Sequence, residues 1–91
     1  MDKILKTVTD LDMSDMVLPI ITLYKKPYDY PEHYVARVWE CAPPKGMKGP
    51  LPTNTVILYD TLSQAEKDLR PFTRMERNEN DDPKIVATFF P

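Results

Sequence analysis

An α+β fold is what this sequence predicts: an antiparallel sheet of four to five strands with one or two short helices packed on one face. Three observations carry that expectation. Runs rich in Val, Ile, Leu and Tyr at 17–24, 34–41, 55–59 and 84–90 are bounded by Pro, Gly, Asn and Asp, the punctuation of strands and turns. Asp60-Thr61-Leu62-Ser63-Gln64 carries the Thr-x-x-Gln spacing of a capping box ahead of apolar residues at helical spacing. Finally, 91 residues of which 42% are hydrophobic suffice for one core and not for two, so 1–91 reads as a single small domain.

Ile4, Leu5, Val8 and Leu11 recur at helical spacing among charged residues, which predicts a short amphipathic helix over Asp2 to Leu11. A helix this short is marginal alone, so residues 1–15 either dock loosely on the domain or fray, and Asp12-Met13-Ser14-Asp15 breaks it. Val17 to Tyr24 reads as a strand, and because Pro19 cannot donate to a ladder it reads as an edge strand. Lys26 to Glu32 is turn-rich, with Pro27 and Pro31 pushing their predecessors toward extended geometry. Tyr34 to Cys41 alternates Tyr34, Ala36 and Val38 with Val35, Arg37 and Trp39, the pattern of a central strand covered on both sides.

Residues 42–53 hold four of the ten prolines and both glycines, Gly46 and Gly49, with Lys45 and Lys48 and no acid. A loop of that length without structure of its own tends to be functional or disordered. Thr55 to Tyr59 is the returning strand. Thr61 then caps a helix whose Leu62, Ala65 and Leu69 share a face, and Pro71 stops it. Thr73 to Arg77 is a short strand, Asn78 to Pro83 a polar turn, and Lys84 to Phe90 the last strand, with Ile85, Ala87 and Phe89 opposite Val86, Thr88 and Phe90. The expected order is α-β-β-β-α-β-β.

Charge and cysteine content narrow the function classes. Twelve basic and fourteen acidic side chains leave a net charge of −2, and residues 1–45 and 46–91 each carry six basic and seven acidic residues. Phosphate-driven binding needs clustered Lys and Arg, so nucleic acid is a disfavoured partner. Cys41 is the only cysteine, which excludes an intrachain disulfide and a thiolate zinc site and fits a reducing, cytoplasmic setting. No apolar run approaches the roughly 20 residues of a membrane span, and the charged N-terminal segment lacks a signal-peptide core, so neither secretion nor a membrane partner is expected.

Catalytic equipment is thin. His33, the one histidine, lies among Asp29, Tyr30, Glu32 and Tyr34, the single local group that could be drawn as an acid/base site or the remnant of a metal-assisted hydrolase. One loop cannot supply the geometry of such a site, and a histidine in a surface turn is the commoner reading. Cys41 has no thiolate-stabilising neighbour and reads as a structural cysteine. Glu76, Glu79, Asp81 and Asp82 could bind a cation, but the Gly and late bidentate Glu of an EF-hand are missing and Asn and Asp serve a turn's own backbone. Both glycines sit beside prolines with no Gly-Lys-Ser or Gly-Lys-Thr, which removes a phosphate loop. The expectation is a protein that is not an enzyme and holds no cofactor and no metal.

Two surfaces are suggestive. Tyr24, Tyr28, Tyr30 and Tyr34 are four of the five tyrosines and lie within eleven residues, and tyrosine supplies rigid contact area with a polar tip. The alternative is that the rings cap an open face of a small sheet. With His33 from the same segment and Lys45, Met47 and Lys48 from the Pro-Gly loop, these residues are the candidate binding set. Another protein is the expected partner, and a homodimer through a Val17–Tyr24 edge is a further option.

Tyr34-Val35-Ala36-Arg37-Val38 and Asp60-Thr61-Leu62-Ser63-Gln64-Ala65 resemble the strand and the strand-to-helix turn of HicB-type antitoxins. That resemblance implies a partial ribonuclease-H-like sheet without catalytic acids that masks a small toxin. Tyr28 to Tyr34, the Asp60-Thr61-Leu62 turn and Asn80-Asp81-Asp82-Pro83-Lys84-Ile85-Val86 are also similar to short proteins of bacterial mobile elements and phages. What this second likeness implies is a context, in which small proteins of this size commonly act as stoichiometric inhibitors of host systems.

Overall fold

The computed structural model describes residues 2–42, 46 and 49–91. Among them, β1 (Lys3–Leu5), a 3-10 turn (Val8–Asp10), β2 (Pro19–Lys25), β3 (Tyr34–Glu40), β4 (Leu51–Tyr59), α1 (Leu62–Asp68), β5 (Thr73–Glu76) and β6 (Ile85–Phe90) follow one another. The strands form one six-stranded sheet in the order β1-β4-β3-β2-β6-β5. Every pairing is antiparallel except β1 with β4, which is parallel with Lys3 opposite Thr55 and Leu5 opposite Ile57. The α+β class stands, with a mixed sheet of six strands in place of four to five antiparallel ones and a single α-helix.

The expected N-terminal helix over Asp2 to Leu11 is replaced by β1 and the 3-10 turn. Three of its four apolar residues were the right ones: Leu5, Val8 and Leu11 pack on the core, whereas Ile4 is exposed on the other side of the sheet. Their spacing of three suits a 3-10 turn as well as an α-helix, and Thr7 and Thr9 are weak helix formers. Pairing with β4 gives Lys3 to Leu5 backbone partners that an isolated short helix would have to hold unaided.

β2 is not an edge strand. It lies between β3 and β6, so its two flanks are both paired and no homodimer can form through Val17–Tyr24 without breaking the sheet. Pro19 misled the sequence reading because it stands first in the strand, where a missing N–H disrupts least. Just before it, the Glu40 carboxylate accepts the N–H groups of Ala42, Leu18 and Val17, each at 2.9 Å. Those amides, that of Ala42 foremost, hold the Glu40 carboxyl below its ordinary 4.5. A depressed carboxyl stabilises the fold above 4.5 and loses its effect as pH falls through the lowered value. Glu40→Ala is therefore expected to reduce hydrogen-exchange protection at Val17, Leu18 and Ala42 at neutral pH, and acid to do the same in the parent chain; unchanged protection in the variant would refute the clamp.

β4 starts at Leu51, earlier than the sequence suggested, because Leu51 and Pro52 continue the ladder opposite Glu40 and Trp39. The register slips between Arg37 and Trp39, and Thr53 stitches the irregularity: its hydroxyl donates to the Val38 carbonyl at 2.7 Å and accepts the Thr55 N–H at 3.2 Å. A second bulge lies in β6, where Leu23 faces Ala87 and Tyr24 faces Ile85. Val86 is the extra residue. It turns to the core, and Ile85 joins the opposite face, reversing the alternation expected for these two positions.

The core lies on one side of the sheet, where Ile21, Leu23, Ala36, Val38, Ile57, Tyr59, Ala87 and Phe89 meet Ala65 and Leu69 of α1. Each fully buried Ile, Leu or Val side chain there contributes about 1.5–3 kcal/mol. The predicted capping box is present, with Thr61 Oγ1 accepting the Gln64 N–H at 3.2 Å and Gln64 Oε1 accepting those of Asp60 and Thr61. No helix among the described residues is long and apolar enough to cross a membrane.

Candidate functional site

Cross-strand partners share a face, so the register defines what the second side of the sheet displays. One row runs Ile4, Val56, Arg37, Thr22, Thr88 and Met75; another holds Leu58, Val35, Tyr24 and Ile85; a third holds Pro52, Trp39 and Ile20. No helix lies on this side among the described residues, yet Val35 and Val56 are fully buried. Arg37, the cross-strand partner of Val56, centres a polar clasp on this side. Arg37 bonds Asp29 at 2.7 Å and lies 3.7 Å from Asp2, and the Tyr30 hydroxyl donates to Asp2 at 2.7 Å. That bond, with some burial, pushes the Tyr30 phenol up.

Three clefts cross the rest of this side and share residues. One of about 280 Å³ is lined by Ile20, Tyr24, Trp39, Cys41 and Thr88; the next, about 270 Å³, by Tyr24, Tyr28, Val35 and Arg37; the third, about 600 Å³, by Tyr28, Lys26, Pro83 and Lys84. Tyr24 joins the first two and Tyr28 the last two, which makes a continuous stripe from Trp39 to Lys84. Tyr28 is 92% exposed, with the Lys84 ammonium 4.9 Å from its ring centre. Lys84 also donates to the Lys26 carbonyl at 3.1 Å, where Lys26 takes a left-handed φ of 47° to turn out of β2. The Trp39 indole N–H is shielded from solvent and has no acceptor among the described residues. Leaving such a donor unmatched costs about 1–3 kcal/mol.

The tyrosine segment therefore divides. Tyr24 and Tyr28 line the stripe, burial raising the Tyr24 phenol against the pull of Arg37. Tyr30 is spent on Asp2, and Tyr34 faces the other way and packs against the core. His33 sits at the corner between β3 and α1, with Nε2 3.8 Å from the Asp60 carboxylate. Lys45, Met47 and Lys48 of the Pro-Gly loop lie outside the described residues. Asp29, Glu32 and His33 do not converge: Asp29 is held by Arg37, His33 looks to Asp60, and Glu32 is exposed.

No group of three His, Cys, Asp or Glu side chains among the described residues is placed to hold a metal ion. In the acidic turn the carboxylates serve the backbone, Asp81 accepting the Asn78 N–H at 2.8 Å and Asp82 that of Lys84 at 2.9 Å. The Cys41 thiol is pushed up by burial and by Glu40, away from the thiolate that a nucleophile needs.

Trp39, Ile20, Thr88 and Lys84 are among the members of the stripe that were not in the binding set read from sequence. The alternation in β3 had already put Trp39 beside Arg37 and Val35, and that signal was available. Nothing in the sequence tied Lys84 to Tyr28. No family model matches this chain, and neither does any curated protein or solved structure.

Proposed function

We propose that this chain is a non-catalytic protein-binding module that docks its partner on the second side of the sheet, along the stripe from Trp39 through Tyr24 and Tyr28 to Lys84. The observation that carries this reading is the continuity of three clefts through two shared tyrosines on a side with no helix over it. Aromatic side chains supply rigid contact area with a polar tip, and Tyr28 presents a large, almost fully exposed ring to a partner. In the setting that the likeness to phage and mobile-element proteins implies, the partner is a host protein inhibited one to one in the cytoplasm. The antitoxin resemblance differs in the partner alone, a small toxin.

Tyr28→Ala is expected to weaken the complex by about thirtyfold, the scale of a hot spot of about 2 kcal/mol, without moving the thermal midpoint. Tyr30→Phe, which cuts the bond to Asp2, should leave affinity within about threefold. Calorimetry against the protein co-purified from the native host measures both. Equal affinity of the parent and the Tyr28 variant would remove the stripe as the docking surface.

A further inference from the structure

The sheet has one outer strand that is open to solvent throughout. β5 comprises four residues, Thr73 to Glu76, all exposed, and pairs only with β6 among the described residues. Such an edge presents unmatched backbone donors and acceptors to another strand. We propose that it pairs with the same edge of a second copy of this chain, antiparallel, about a two-fold axis at Met75. The proposal is independent of the docking stripe.

The register follows from the strand's own side chains. Opposite residues of an antiparallel ladder share a face, so the two-fold axis falls on a residue. An axis at Arg74 would set two arginines directly opposite and one at Glu76 two glutamates, both repulsive, while one at Thr73 would leave Arg74 against Phe72. With the axis at Met75, Arg74 of each copy faces Glu76 of the other twice over, and Met75 meets Met75.

Those groups are ready for the match. Arg74 bonds Glu76 through Nε at 2.6 Å and Glu66 through Nη1 at 2.7 Å, so its fork is fixed by two carboxylates while Nη2 has no bond among the described residues. Glu76 uses Oε1 and keeps Oε2 for a second donor. A guanidinium already held in place loses little freedom on binding. Met75 is 57% exposed on the opposite side of the strand, so its apolar contact and the ion pairs do not compete for space. The pairing is isologous and closes after two copies. Its axis is perpendicular to the sheet, so both copies turn their Tyr24–Tyr28 stripe to the same side. An edge of four residues buries less than the roughly 1,000 Å² of a lasting interface, so the dimer depends on concentration.

Sedimentation equilibrium of the full chain up to about millimolar concentration is the test. The parent should show a reversible monomer–dimer equilibrium, and Glu76→Arg, which sets arginines opposite each other, should weaken it at least about tenfold. In a Cys41→Ser background, Met75→Cys should form a disulfide-linked dimer under mild oxidation, because the axis brings residue 75 against its own copy; Thr73→Cys should not. Three outcomes overturn the proposal: a monomer at every concentration, equal cross-linking at 73 and 75, or β5 amides protected only when another protein is added, which would assign the edge to a foreign strand.

Discussion

Leu69→Ala is expected to lower the unfolding free energy by about 2–5 kcal/mol, a large share of the roughly 5–15 kcal/mol that holds a domain folded. Leu69 is fully buried at the end of α1, where its N–H still bonds the Ala65 carbonyl at 3.0 Å. Its weight comes from the architecture. A helix of seven residues is about 10 Å long, whereas six strands span about 24 Å, so α1 covers the core side through very few side chains. Ala65 and Leu69 are the fully buried ones, with Leu62 partly buried beside them. Truncating Leu69 opens a void in the core cluster that it shares with Ile57, Ala36 and Phe89. Denaturant titration reads the loss directly. A midpoint shift worth less than about 1 kcal/mol would mean that Leu69 does not anchor α1 to the core.

The second large effect joins Asp68 to Tyr59 and grows with pH. One carboxylate oxygen of Asp68 accepts both the Tyr59 hydroxyl at 2.5 Å and the Val8 N–H at 2.8 Å, so a single side chain links the helix, β4 and the N-terminal turn. Asp68→Ala leaves two donors without an acceptor, at about 1–3 kcal/mol for each that stays buried. Burial, reinforced by the bond to Asp68, holds the Tyr59 phenol protonated far above its ordinary 10.0. The unfolded chain ionises there near 10.0, whereas the folded one does not. The stabilisation is thus complete below pH 10.0 and is lost as pH rises beyond it, at about 1.4 kcal/mol per pH unit. Tyr59→Phe should remove that slope from the alkaline stability profile while costing about 1–3 kcal/mol at neutral pH. Profiles of equal slope in the two proteins would sink the assignment to Tyr59.

Local chemistry was legible in the sequence and long-range pairing was not. The capping box at Thr61 and Gln64, the stop before Pro71 and the turn at Asn78 to Pro83 all rest on residues a few positions apart, and the structure has each of them. The two faces of β3 followed from alternation. Pro19 shows why the place of a strand in the sheet was misread: a proline forbids one hydrogen bond, and whether that bond matters depends on where in the strand it falls. The N-terminal segment shows the same limit, since Leu5, Val8 and Leu11 pointed to the core correctly while their spacing fitted two conformations. The stripe was half visible. Tyr24 and Tyr28 were found through composition, but what separates them from Tyr30 and Tyr34 is contact with Asp2 and with the core, neither of which is local.

The parallel pairing of β1 with β4 also sets an order of events during synthesis. Lys3 to Leu5 are made before their partners at Thr55 to Ile57, with residues 6–54 between them. Until then the meander of β2 and β3 grows with its flanks open, and closing so wide a loop carries an entropic cost that adjacent hairpins do not. β1 therefore stays unpaired until the chain has passed through β2, β3 and β4.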